Sequence, residues 1–270
     1  MNGSLRTRRI RPIPIFLPSS ISAGHGFSGG LIIFSGESVW TFPNVLLFYI
    51  GGASPTLGGI ILTYRLGGWP GLRDLWDRTV NTGRISPTWY LICIFLQPAI
   101  TLIAAGLVLL AGASDQPLQP SIALESLAMF LTFTILAGVV EEVGLTGYFV
   151  HRLLEFRGVI GVGVITGAVW ATWHVPLWLM EGYYGAATID SDPFYFFGGM
   201  VFIQIIYAWI YDNTAKSVLA AIIFHMMVNA TGEILGPAAV VQQYTFYLTV
   251  ILCLLILVDE QWNVITDTQA

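Results

Sequence analysis

The chain has 270 residues, of which 55% are hydrophobic types and only 10% are charged, with a formal net charge of −5. Soluble domains carry roughly 25% charged residues to coat their surface, so a typical water-soluble enzyme and a disordered chain are both excluded. The 11 Lys+Arg against 16 Asp+Glu leave no basic face for nucleic acid.

Long continuous apolar runs predict an all-α, polytopic membrane helical bundle; a barrel would show short alternating segments instead. At about 20 residues per crossing, the chain holds about eight transmembrane helices, with seven as the alternative. It reads as one integral-membrane domain over residues 1–270 with no room for a separate soluble one. The first run, Ile13–Phe34, is the weakest, because Pro14 and Pro18 interrupt it. A cleaved signal peptide over residues 1–24 is its rival reading. Then follow Val39–Tyr64, Thr88–Ala111, Leu127–Leu154, Val159–Met180, Phe194–Tyr211, Ser217–Leu235 and Tyr244–Val258. Cys93 and Cys253 sit inside such runs and read as packing residues.

Positive residues collect on the cytoplasmic side of membrane proteins. Here Arg6, Arg8, Arg9 and Arg11 precede the first run, and Arg65, Arg73, Arg78 and Arg84 follow the second. Arg152 and Arg157 follow the fourth run, and Lys216 follows the sixth. The other connections carry Glu37, Asp115, Glu181, Asp190, Asp192 and Glu233. The two sets alternate only if Ile13–Phe34 crosses, which puts both termini in the cytoplasm. The predicted location is a multi-pass position in the bilayer, the cell membrane if the source is prokaryotic. Arg65–Arg84 reads as a lipid-facing cytoplasmic loop, and His25 and His151 as surface or interface residues. Trp69, Trp89, Tyr183 and Trp262 read as interface anchors.

Ionisable groups inside spans are costly and mark function. The fourth run holds Glu141 and Glu142, the fifth His174, and the seventh His225 with Asn229. Gln97 and Gln204 are uncharged and read as bonds across helices. At about 1.5 Å per residue, Glu142 lies about 15 Å from Arg152, and His225 about 14 Å from Lys216. His174 would lie about 26 Å from Arg157. A Gly158–Gly163 stretch along the interface, with the helix rising only from about Val164, would bring it level. Gly144 and Gly147 predict close approach of another helix.

Carboxylates taken out of water and set side by side suit general-base work on water, and imidazole and amide groups can steady an oxyanion. No serine or cysteine nucleophile stands out. Glu141, His174 and His225 could instead hold zinc, but no HExxH pair accompanies them. No cofactor is the first expectation and zinc the second.

These residues also carry a resemblance. EEVGLTGY at Glu141–Tyr148, WATWH at Trp170–His174 and HMMVN at Asn229's helix from His225 resemble, in order and spacing, the EExxxR, FxxxH and HxxxN motifs of the CPBP (CAAX protease, Abi) intramembrane proteases. The resemblance covers about Leu127–Thr231, with 127–231 as the catalytic core. It implies that Glu141 activates water with His174 as its partner, that His225 and Asn229 form the oxyanion site, and that Glu142 supports them. Trp170 stands for the motif's Phe, and Thr146 for its Arg. The implied partners are the lipid bilayer and a membrane-anchored protein or peptide substrate, lipidated or not. A proton-coupled transporter and a non-catalytic scaffold or immunity protein are the alternative functions.

Overall fold

The computed structural model describes the backbone of residues 16–120, 127–184 and 192–267, and side chains over 26–120, 130–184 and 192–261. The basic N-terminal arginines (Arg6, Arg8, Arg9, Arg11), Asp190, and the side chains of His25 and Trp262 lie outside the described residues. The helices are α1 (Phe16–Ser35), α2 (Asn44–Gly52), α3 (Ser54–Val80), α4 (Pro87–Leu110), α5 (Leu127–Gly144) and α6 (His151–Leu153). They continue as α7 (Val159–Leu179), α8 (Pro193–Asn213), α9 (Val218–Leu235) and α10 (Ala239–Asp267). No strand occurs among the described residues; a single bridge joins Leu118 to Pro237.

Seven helices among the described residues are long and apolar enough to cross a membrane. The 20 residues of α1 add an eighth helix of about 30 Å. The outward faces stay apolar: Phe34 is 91% exposed and Leu110 87%. Such a surface suits lipid and not water.

Local chemistry fixes the ends of the helices. Prolines open α3, α4 and α8 at positions where a missing N–H costs nothing. Asp192 accepts from the Phe194 amide at the start of α8, and Ser217 from the Ala220 amide at the start of α9. Gly236, with φ of 55°, ends α9 in the left-handed region.

The predicted span Val39–Tyr64 is broken into α2 and α3 at Ala53, and α3 runs on to Val80 with a turn at Gly68 (φ 58°, ψ −152°). The Arg65–Arg84 stretch is therefore helical over most of its length, which corrects the loop reading. The reason is packing. Leu75 and Arg78 are buried against Gly147, while Trp69 and Trp76 stay exposed. Arg78 donates to the Gly147 carbonyl (2.8 Å), the Tyr211 hydroxyl (2.6 Å) and Asp74 (2.8 Å). Tyr211 in turn bonds His151 Nδ1 at 2.9 Å, and His151 is half-buried. Arg78→Met leaves the Gly147 carbonyl without that donor and is expected to cost about 1–3 kcal/mol, read as a lower thermal midpoint in detergent.

Among the anchors, Trp69 is exposed, whereas Trp89 packs edge-on to Trp209 and Tyr183 packs on Trp40, Phe48 and Tyr184. Gln204 reaches Thr166 across α8 and α7, but Gln97 bonds Thr101 within its own helix.

Candidate active site

Four helices converge because small residues let their backbones touch. A Cβ on Gly163 would lie 2.4 Å from the Ile205 Cα, and one on Gly167 2.6 Å from the Val201 Cα, so α7 lies against α8. A Cβ on Gly138 would meet the Ile222 carbonyl at 3.3 Å and the His225 Cβ at 3.6 Å, so α9 lies against α5. Gly138 and Glu142 share a helical face as i and i+4. The close approach at Gly138 thus delivers His225 to Glu142.

The result is a buried pair. His225 Nδ1 lies 2.8 Å from Glu142 Oε1, with Glu142 fully buried and His225 nearly so. Thr146 Oγ1 donates to Glu142 Oε2 at 2.5 Å. The motif's arginine position is therefore filled by a hydroxyl that bonds the second glutamate. Glu142→Ala would strip both His225 and Thr146 of their acceptor. It is expected to cost about 3–5 kcal/mol, as removal of one partner of a buried pair does, measured as thermal unfolding beside Glu142→Gln, which keeps an acceptor oxygen.

Glu141 points elsewhere, as the 100° offset between helix neighbours requires. Its Oε2 accepts from Trp170 Nε1 at 2.9 Å. The carboxylate lines a small cavity with Pro55, Leu145, Val169, Trp170 and Trp173. The cavity measures about 10 Å³, space for roughly one water.

His174 approaches the site by a different route from the one predicted. The glycine stretch does not lie along the interface; α7 is an unbroken helix from Val159. Side chains on a helix lean toward its N-terminus, and His174 Nδ1 folds back to 2.9 Å from the Trp170 carbonyl. Its ring stands 4.7 Å from the Trp170 ring, edge to face. Trp170 also faces His225 at 6.0 Å and Tyr207 at 6.2 Å. One indole thus touches both histidines and the free-standing glutamate. Asn229 is half-exposed one turn beyond His225, with no hydrogen-bond partner among the described residues.

The helix after the glutamates widens into a π turn over Leu145–Val150, a distortion that gathers at functional sites. Its Gly147 carbonyl is the one taken by Arg78. Gly144, just before it, abuts the start of α3: Thr56 Oγ1 donates to the Val140 carbonyl at 2.5 Å. Gly144 and Gly147 thus receive other helices, as their spacing predicts.

Three contributors carry no signal in the sequence. Arg78 reads as part of a loop, Tyr207 is fully buried beside His225 with its hydroxyl unpartnered among the described residues, and Pro55 walls the cavity from a helix outside the motifs. Among the described residues no group of three or more His, Cys, Asp or Glu is placed to hold a metal ion.

Residues 123–231 match the family model described as Type II CAAX prenyl endopeptidase Rce1-like. Over 216 residues the chain is 26% identical to CAAX prenyl protease 2 of Methanococcus maripaludis, covering 78% of this chain and 79% of that protein. The segment that holds the two glutamates, two histidines and asparagine thus matches an Rce1-like domain, and the chain is a membrane peptidase similar to the CAAX prenyl proteases.

Proposed function

We propose that the chain is an intramembrane endopeptidase that cleaves a membrane-anchored protein or peptide near its C-terminus, with residues 127–231 as catalytic core of a single membrane domain. The observation that carries this reading is the position of Glu141: an acid on the wall of a cavity sized for one water, beside the His225–Glu142 pair.

Glu141 takes a proton from that water, and the hydroxide attacks the scissile carbonyl carbon. The carbonyl oxygen becomes an oxyanion, and donors aimed at it lower the barrier. Asn229 supplies an uncommitted carboxamide. With Nδ1 of His225 engaged by Glu142, Nε2 is the nitrogen left to serve the oxyanion. His174, beside Trp170, helps hold the water. Collapse of the intermediate breaks the C–N bond, and Glu141 returns its proton to the leaving amine. The alternating charges and eight helices support a topology with both termini in the cytoplasm.

The name of the Methanococcus relative points to a prenylated CAAX-type C-terminus as substrate. The test is purified protein in nanodiscs with a prenylated peptide ending in Cys-aliphatic-aliphatic-X, the released tripeptide identified by mass spectrometry, beside the same peptide without its prenyl group. Cleavage is expected from the wild type and not from Glu141→Gln. Persistent cleavage by Glu141→Gln would overturn the reading; equal cleavage of both peptides would remove the prenyl specificity only.

A further inference from the structure

The FxxxH motif that this chain resembles has phenylalanine where this sequence has Trp170. A phenylalanine could fill the same space against the histidines but has no hydrogen to donate. Here the indole Nε1 donates to Glu141 Oε2 at 2.9 Å, and Trp170 is only 8% exposed. The ring cannot easily swing away, because it is held edge-on to His174 (4.7 Å, 78°) and to His225 (6.0 Å, 74°). The second oxygen, Glu141 Oε1, has no hydrogen-bond partner among the described residues.

We propose that Trp170 is a positioning residue for the general base: its indole N–H pins one oxygen of Glu141 and presents the other to the water. This rests on Glu141 acting as the base. The donor makes its bond to an ionised carboxylate stronger than to a protonated one, so it favours the form that can accept a proton. It also removes rotational freedom from the one group that must be aligned with the water. Indole N–H, unlike a hydroxyl or an ammonium, cannot take up or surrender the proton in transit, so it orients the base without competing for the proton.

The test is the pH dependence of kcat/KM for peptide cleavage by wild type, Trp170→Phe and Glu141→Gln. A second variant carries 3-benzothienylalanine at position 170, which keeps the indole outline and replaces N–H by sulfur. Loss of a hydrogen bond to a charged group is expected to lower kcat roughly 10- to 100-fold with KM little changed. The acidic limb of the profile is expected to move to higher pH in both variants, because a base without its donor must be titrated further before it is ionised. A rate loss with the limb unmoved would assign Trp170 to packing alone and overturn the proposal, as would wild-type behaviour. If Trp170→Phe does not fold, the isosteric variant decides. An inactive Glu141→Gln with an unmoved limb at position 170 sinks this proposal while sparing the base; an active Glu141→Gln sinks both.

Discussion

Glu141→Gln is expected to lower the rate of peptide hydrolysis by roughly 10²–10⁴-fold, the usual contribution of a general base, while leaving the thermal midpoint near that of the wild type. The two halves of this expectation have separate causes. Glutamine has the shape of glutamate, and its amide oxygen can still accept the Trp170 N–H that now binds Glu141 Oε2. The packing of Pro55, Leu145, Val169 and Trp173 around the cavity then need not change. What disappears is proton affinity, since an amide does not take a proton from water. A parallel Glu142→Gln separates the roles: Glu142 bonds His225 and Thr146 and does not line the cavity. Its variant is expected to change stability and alignment more than proton transfer. Steady-state kinetics and thermal unfolding on the same preparations check both.

Gly144→Ala is expected to be the most damaging single methyl in the protein. The added carbon would stand 2.0 Å from the Pro55 carbonyl oxygen, 2.2 Å from its carbon and 2.7 Å from the Thr56 nitrogen. All three are backbone atoms, so no side chain can rotate to make room. Overpacking typically costs about 1–3 kcal/mol where side chains yield, and this contact should exceed that range. The same methyl would push α3 from the Val140 carbonyl that Thr56 holds, and Gly59 from Gly144, where a Cβ would already come within 2.7 Å. Loss of the monodisperse peak on size exclusion, or a large drop in thermal midpoint, checks this. Gly106→Ala is the control, because a Cβ there meets nothing within 4 Å.

The residues at the centre were legible because lipid makes them conspicuous. A carboxylate or imidazole within an apolar run has no cheap place to go, so Glu141, Glu142, His174 and His225 announced themselves one span at a time. Small residues next to them, Gly144 and Gly147, announced close helix contact. Arg78 did not, because a basic residue past the end of an apolar run looks like an interface charge; only the turn at Gly68 brings it back under the π turn. The height of His174 is not legible from rise per residue, which locates Cα atoms: its ring leans back one turn onto Trp170, and it is Trp170 that meets Glu141. The hydrogen bond of Trp170 was invisible for a plainer reason. Whether an aromatic residue packs or donates depends on what faces it, and the partner here is 29 residues away.

A hollow that admits one solvent molecule admits no polypeptide. The hollow beside Glu141 therefore has room for the water and not for the substrate, so a scissile peptide must come to the partly exposed carboxylate from outside it. A substrate entering through the hollow itself would have to part Pro55 from Trp170 and Trp173, and the interruption of helix at Ala53, two residues before Pro55, is where the wall has least continuity. On the proposed function, so narrow a mouth would keep intact neighbouring helices from the acid and leave it to an extended chain end.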